Sequence, residues 1–458
     1  MEEKKEFTVV GAGLVGSLTS IFLSRAGYKV SVYEGRFDAR KAKEYAGKSI
    51  NLALSDRGWK ALEILGLRES IEKVAIPMRK RIMHAVDGTL TEQPYGKEGE
   101  AIYSVSRGGL NMAMVDLAEK EGNVEVIFDK KCVGLDANLP SVTFEDANTG
   151  ETFEKKSDYV FGADGAFSAV RSRLQRTDRF NYQQEYIEHG YKELEIPANP
   201  DGSHKLEKNA LHIWPRGNYM LIALPNEDGS FTCTLFFPFE GEHSFTALDS
   251  DEKIMNFFNE FFADAVPLMP TLLKDYNENP TSSLCIVRCF PWSKNGKVGL
   301  IGDASHAIVP FYGQGMNAGF EDCSVLFDLM NEHGDDWDTI FKEFEISRKP
   351  NTDAIASLAM RNFVEMRELT GDPQFLLRKK IEKKFNATYP ELWLPLYSMV
   401  TFSHIPYADA MNEGLRQDKV MEEILAMDNI DTNWESQEVM EKMLSLIEKY
   451  PSEVEIVL

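Results

Sequence analysis

The sequence predicts a mixed α/β fold in which a parallel-sheet domain is interleaved with an antiparallel sheet and closed by a C-terminal helical region. Three observations carry this. Residues 9–34 (VVGAGLVGSLTSIFLSRAGYKVSVYE) read as strand, glycine turn, helix and strand. Short apolar strands dominate from about 185 to about 290. From about 340 onward, apolar residues recur at helical spacing.

The first stretch places Gly11, Gly13 and Gly16 at G-x-G-x-x-G spacing directly after an apolar strand. Gly11 permits the tight turn, Gly13 lets backbone approach a pyrophosphate, and Gly16 lets helix and strand pack closely. Leu14, Leu18, Ile21 and Phe22 share one helical face. The helix N-terminus offers free N–H groups and a positive dipole end to phosphates. Glu34, 23 positions after Gly11, ends the second strand where an acid accepts from a ribose hydroxyl. This is a Rossmann-like dinucleotide site, and the fold alone does not separate FAD from NAD.

A chain of 458 residues has room for two or three domains. Its 43% hydrophobic and 27% charged residues are those of an ordinary globular protein. The net charge of −23, from 50 basic and 73 acidic side chains, disfavours nucleic acid and anionic membranes as partners. Against that background Arg79-Lys80-Arg81 stands out. Cysteines 132, 233, 285, 289 and 323 form neither a C-x-x-C pair nor a zinc spacing, which fits a reducing compartment. The N-terminal MEEKKE has no signal-peptide character, and no apolar run reaches about 18 residues, so a cytoplasmic location is expected.

Along the chain, a charged loop follows Glu34 and leads to SINLAL at 49–54. GWKALEILGLRESIEKV reads as an amphipathic helix broken at Gly66. MRKRIMHAV and AIYSVS alternate as strands of a sheet other than the nucleotide one. RGGLNMAMVDLAEK is a helix returning to the first domain, and residues 124–128 a parallel-type strand. The segment 158–171 (DYVFGADGAFSAVR) is a second strand, glycine turn and helix. YKELEI, ALHIWP, YMLIALP, FTCTLFF and SLCIVRCF then predict an antiparallel sheet, with DEKIMNFFNEFFADAV as its covering helix. KVGLIGD at 297–303 is again a strand of the nucleotide type. A glycine-punctuated loop feeds a long helix after it. Residues 411–458 alternate charge with Leu, Met and Ile at helical spacing.

Within these landmarks, Asp164 caps the helix that follows or holds nearby groups. Asp303 stands at a strand end, where it can accept from a ribitol hydroxyl, and the next helix can point its N-terminus at a flavin. Each of these also has a plain reading as a turn. GAGLVG, GADG and GD in this order and at these separations resemble the FAD-dependent aromatic hydroxylases related to para-hydroxybenzoate hydroxylase, in which the three sites hold one FAD. No second G-x-G-x-x-G is present. That suits a family whose NADPH has no Rossmann domain of its own.

Longer strings (KSINLALSDRG, QPYG, HGYKEL, NALHIWPRGNYMLIALPN, VPFYGQGMNAGFED and YSMVTFSHIPYADA) extend the resemblance over nearly the whole chain, to the bacterial kynurenine 3-monooxygenases. Ser305 and Tyr312 depart from that pattern, where Ala and Phe or His are expected. The resemblance implies FAD as cofactor, with L-kynurenine, NADPH and O2 as partners on the route of tryptophan degradation. A flavin C4a-hydroperoxide supplies the oxygen, so no side chain is assigned a catalytic role. It implies substrate contacts from Arg81, Tyr95, Asn362 and Tyr397. Arg81 is suited to a carboxylate because its guanidinium binds it bidentately. Phe236, Phe311 and Met366 are candidate walls for the ring, and Gln314 a contact to substrate or flavin. Arg107, Gly315 and Asn317 join Gly11, Gly13, Gly16, Glu34, Asp164 and Asp303 as the expected FAD contacts. Each aromatic or Met also reads as plain core, and His306 as a structural histidine.

The expectation is therefore an α/β protein with a Rossmann-like FAD-binding domain (1–72, 102–177 and 291–360), an antiparallel-sheet substrate domain (73–101 and 178–290) and a C-terminal helical region (361–458). No metal is expected, and the homodimer is kept open as an assembly state. Two alternatives remain: a related FAD hydroxylase of another aromatic acid, and a non-catalytic flavin-binding sensor. A halogenase lacks support, since no Trp-x-Trp-x-x-Pro occurs among the six Trp.

Overall fold

The structure, a computed structural model, describes residues 4–41, 50–97, 99–368 and 372–454. Lys48 and Ser49, which open the KSINLALSDRG string, and most of the loop before them lie outside these residues.

The apolar strands with adjacent glycine turns assemble into one six-stranded sheet. Its order is Ser293–Lys294, Val298–Leu300, Tyr159–Gly162, Glu6–Val10, Lys29–Tyr33 and Val124–Ile127. All pairs are parallel except the first. Three glycine turns, after Val10, Gly162 and Leu300, therefore open at the same carboxyl edge, where ligands bind in sheets of this kind. Phe7, Val9, Val32, Val160 and Phe161 are fully buried, as expected of strands covered on both faces.

The second sheet has seven strands, in the order Thr281–Phe290, Asn181–Ile196, Phe231–Pro238, Met220–Pro225, Ala210–Pro215, Lys80–His84 and Leu90–Pro94. Its period-2 alternation serves two cores. Leu235 and Phe237 pack under the helices Asp251–Phe261 and Leu272–Glu278. Phe236 between them joins Phe311, Phe363, Met366 and Met399 on the opposite face. The substrate region is thus lined by one face of a sheet, the turn after Val309 and the C-terminal helices.

Three features differ from the expectation. Ala210–Pro215 runs parallel to Lys80–His84, pairing Leu211 with Arg81, because the latter strand arrives from the flavin region instead of through a hairpin. As expected, Ile102–Ser106 (AIYSVS) lies outside the nucleotide sheet, pairing with Asn51–Leu54 and Ile76–Met78 in a separate small sheet. A third antiparallel sheet, Lys130–Asp136, Ser141–Asp146 and Thr152–Lys156, was not singled out in the sequence. The helix Trp337–Glu368 runs through both Pro350 and residue 360, so the flavin and C-terminal regions share one helix. Among the described residues, no helix is long and apolar enough to cross a membrane, and no group of three metal-ligating side chains occurs.

Candidate functional site

The nucleotide side is built first by backbone. Gly11 sits at φ +103°, and a Cβ there would stand 2.6 Å from the Ala163 carbonyl oxygen. A Cβ on Gly16 would stand 2.0 Å from the Gly11 oxygen. Gly13, the N-cap of helix Leu14–Arg25, has open space where a side chain would be. Glu34 accepts from the Ala12 N–H at 2.9 Å, and from the Arg36 N–H at 2.9 Å and Nε at 2.8 Å. Burial alone would push its carboxyl up, but Arg36 and these N–H groups outweigh it and hold Glu34 below the usual range.

The second and third turns face the first. Asp164 accepts from the Ala169 N–H at 2.7 Å, the Val170 N–H at 3.2 Å and the Ser168 hydroxyl at 2.5 Å. It is thereby committed to the helix Ala169–Leu174. Asp303 is exposed at the start of its short helix, yet protein crowds it enough to raise its pKa. That combination is the mark of a crevice. Its carboxylate accepts no hydrogen bond among the described residues, and the Arg107 guanidinium, exposed at the start of helix Arg107–Lys120, partly offsets the shift. An acceptor left open in a crevice beside three glycine turns fits a ribitol hydroxyl, so these residues suit FAD. Gly315 starts the helix Gly315–His333. The buried Asn317 spends its side chain on protein: Oδ1 accepts from Ser55 N–H at 2.9 Å, and Nδ2 donates to Ala53 and Gly313 oxygens at 2.8 Å. It fixes the turn at Gly313.

On the other side lies Arg81, on the strand Lys80–His84. Its guanidinium carbon is 4.9 Å from the Tyr95 ring centroid and 4.6 Å from that of Tyr397. These two rings lie nearly parallel at 5.5 Å, and Tyr312 continues the stack 5.5 Å beyond Tyr397. The buried Arg81 Nε and Tyr95 hydroxyl have no hydrogen-bond partner, and no carboxylate pairs with Arg81 among the described residues. Burial pushes the Tyr95 phenol up, so it remains a donor at neutral pH. A cation and a hydroxyl left unsatisfied side by side in a buried site fit an anion supplied from outside.

The apolar wall is continuous with this anchor. Phe311 stacks on Phe363 at 3.8 Å and meets Phe236 edge-on at 4.9 Å. Asn362 donates to the Phe311 oxygen at 2.7 Å and to Met366 Sδ at 3.2 Å, tying the long helix to the turn. Gln314 is buried, accepting from the Tyr407 hydroxyl at 2.8 Å and donating to Ser55 Oγ at 3.3 Å. His306 pairs with Asp322 at 2.6 Å, in keeping with a structural histidine.

Several residues important to this geometry carried no separate signal in sequence. Arg171, the last residue of the string DYVFGADGAFSAVR, donates to the Ala304 and Ala166 oxygens at 2.8 and 2.5 Å, clamping the second turn to the third. Asn111 donates to the Ala12 oxygen at 2.8 Å, steadying the first. Both reach backbone atoms distant in sequence, which no local pattern shows.

Comparison with known proteins agrees with this geometry. The FAD binding domain family matches residues 4–355. The kynurenine 3-monooxygenase of Flavobacterium johnsoniae is 54% identical over 449 residues, covering 98% of this chain and all of that protein. That of Dictyostelium discoideum is 45% identical, covering 92% and 93%. Among solved structures, 2-methyl-3-hydroxypyridine-5-carboxylic acid oxygenase superposes with a TM-score of 0.65 at 20% identity, covering 81% of this chain and 95% of its own. Tetracycline destructase Tet(51) does so with a TM-score of 0.60 at 17% identity, covering 88% and 99%. These structures share the fold. The near-full-length relatives go further, and the chain belongs to the kynurenine 3-monooxygenase family of FAD-binding hydroxylases.

Proposed function

We propose that this chain hydroxylates L-kynurenine to 3-hydroxykynurenine, consuming NADPH and O2. The observation that carries the reading is Arg81: a half-buried cation with a buried, unpartnered Nε and no carboxylate beside it among the described residues, flanked by Tyr95 and Tyr397 and next to an aromatic wall. An aromatic amino acid supplies what is missing on both sides. Its carboxylate meets Arg81 and the Tyr95 hydroxyl, and its ring lies against Phe236, Phe311 and Met366.

The chemistry that FAD would supply when bound is reduction by NADPH and activation of O2 for transfer to the aromatic ring. Gly11, Gly13 and Gly16 would bring backbone to its pyrophosphate, Glu34 would accept from the ribose and Asp303 from the ribitol chain. Asn317 and Gln314 hold the turn that would lie beside its ring system. The walls exclude water from the reacting centre. The ring amine of kynurenine makes its ortho carbon electron-rich, so no protein base has to activate it. Consistently, His306 is bound to Asp322 and not free to act. Five free cysteines suit a cytoplasmic site of action.

The test is NADPH oxidation by the FAD-loaded protein with and without L-kynurenine, reading product mass in parallel. Stimulated oxidation with a product heavier by one oxygen is expected. Stimulation that yields only hydrogen peroxide would move the substrate to another aromatic acid, and no stimulation would remove the reading.

A further inference from the structure

Arg57 is the second residue of the helix Asp56–Ile64 and is fully buried, the costliest place for a charge that is not fully engaged. Its guanidinium has two sets of partners, which belong to opposite halves of the candidate site.

One set is the end of a short helix. Leu396–Thr401 has six residues, too few to be stable in isolation, and its last carbonyls lack partners within the helix. Arg57 Nε donates to the Val400 oxygen at 3.2 Å and Nη2 to the Met399 oxygen at 3.5 Å; Nη2 also reaches Ile405 O just beyond. A cation at a helix C-terminus is further favoured by the dipole. Its guanidinium carbon stands 3.9 Å from the Tyr407 ring centroid, on the next helix. Arg57 is thus the C-terminal cap of this helix, supplied from another region of the chain. One turn before the capped Val400 stands Tyr397, whose ring lies against Arg81.

The other set leads to the flavin side. Arg57 pairs with Glu321, Glu321 with Arg348 at 2.6 Å, and Arg348 with Asp322 at 2.7 Å. Asp322 accepts from His306 at 2.6 Å and from the Gly302 N–H at 3.0 Å. Gly302 immediately precedes Asp303. The chain of alternating charges therefore begins at the Tyr397 helix and ends at the backbone that carries the proposed ribitol acceptor.

We infer that Arg57 is a positioning residue for the substrate carboxylate: by capping Leu396–Thr401 it sets where Tyr397 stands relative to Arg81. This rests on the reading that Arg81 and Tyr397 take that carboxylate. Arg57 does not touch the substrate. It acts through Tyr397, which separates it from a residue that merely supports the fold.

The experiment uses FAD-loaded Arg57→Met, with Arg57→Lys as the milder variant should Met prevent folding. Two ligands are compared: L-kynurenine and its decarboxylated analogue, the same aryl ketone ending in a primary amine. Arg57→Met is expected to raise KM for L-kynurenine about tenfold, the scale of one charge-assisted contact. Within about threefold, kcat stays the same, FAD stays bound, and affinity for the analogue is unchanged. Arg57→Lys keeps the charge but cannot span the same carbonyls, and a smaller shift of the same kind is expected. In a Tyr397→Ala background, Arg57→Met should add less than about twofold, since its effect passes through that ring. Equal losses for both ligands, a fall in kcat with KM unchanged, or full additivity with Tyr397→Ala would each overturn the inference. Arg81→Ala serves as the control. If KM rises there but not in Arg57→Met, only the role of Arg57 falls. If KM is unchanged in Arg81→Ala, the carboxylate anchor itself is wrong and this inference goes with it.

Discussion

Two pairs of like residues divide this molecule. Arg57 and Asp322 are buried with every charged group facing a partner. Arg81 has a buried Nε with none, and Asp303 accepts no hydrogen bond among the described residues. The residue types are the same in each pair, and what differs is whether the protein itself completes them. A buried ion pair offers little net stability over apolar packing, yet removing one partner is costly. The completed pair therefore holds geometry. The incomplete pair leaves hydrogen-bonding and charge capacity that a ligand can fill. The difference separates the frame of the site from the surfaces that bind.

The sharpest way to break this division is Asp322→Asn. It leaves Arg348 and His306 facing a neutral amide, and a loss of about 3 kcal/mol or more is expected in denaturant unfolding. Arg348 and His306 hold the Asp322 carboxyl below the usual range in spite of burial. The sign follows: this contribution is full above the unfolded carboxyl pKa and is lost as pH falls through the lower folded value. The variant should flatten the acid limb of the stability profile. An unchanged limb would mean that the network is not part of the frame.

A second frame element is the pair His84 and His212 behind the seven-stranded sheet, linked at 3.0 Å, with His84 also 2.7 Å from Asp264. Burial pulls His212 down to about 4 from its ordinary 6.5. The unfolded chain thus takes up a proton between these values that the folded one refuses, so stability falls as pH drops from about 6.5 to about 4. A shift of this size corresponds to about 3 kcal/mol. Unfolding of wild type and His212→Gln, followed across that range, should show a shallower slope in the variant, with the remainder coming from groups such as the buried His189.

Arg81→Met tests the other half. About a hundredfold rise in KM for L-kynurenine is expected, as for loss of a bidentate charged contact. FAD should remain bound, and the melting temperature should change little, because no carboxylate pairs with Arg81 among the described residues. A large fall in stability would place Arg81 with Arg57 in the frame.

This division also explains what the sequence made legible. The flavin side was readable because its work is done by backbone: Gly11 and Gly16 are required by contacts of 2.6 and 2.0 Å, and such needs leave a spaced glycine pattern in one segment. Asp303 was readable for the same reason, at a strand end. The substrate side has no local pattern. Arg81, Tyr95, Asn362 and Tyr397 come from four separate segments, and only resemblance to a family brought them together in advance. The links in between, Arg57, Arg171 and Asn111, left no signal because their partners are backbone atoms and acids far along the chain. The parallel pairing of Ala210–Pro215 with Lys80–His84 was hidden likewise, since residue alternation is the same in either direction.

Tyr95→Phe removes one hydroxyl and leaves the ring stack intact, and it should have the smallest effect. The Tyr95 oxygen is buried without a partner, so the unliganded protein loses nothing when it goes and is expected to gain slightly in melting temperature. The liganded protein loses one hydrogen bond from a neutral hydroxyl to a carboxylate, about 1.5–2 kcal/mol, which is about twelve- to thirtyfold in KM. The two shifts must have opposite signs. A hydroxyl belonging to the frame would cost stability and leave KM alone, so measuring both in the same variant decides on which side of the division Tyr95 lies.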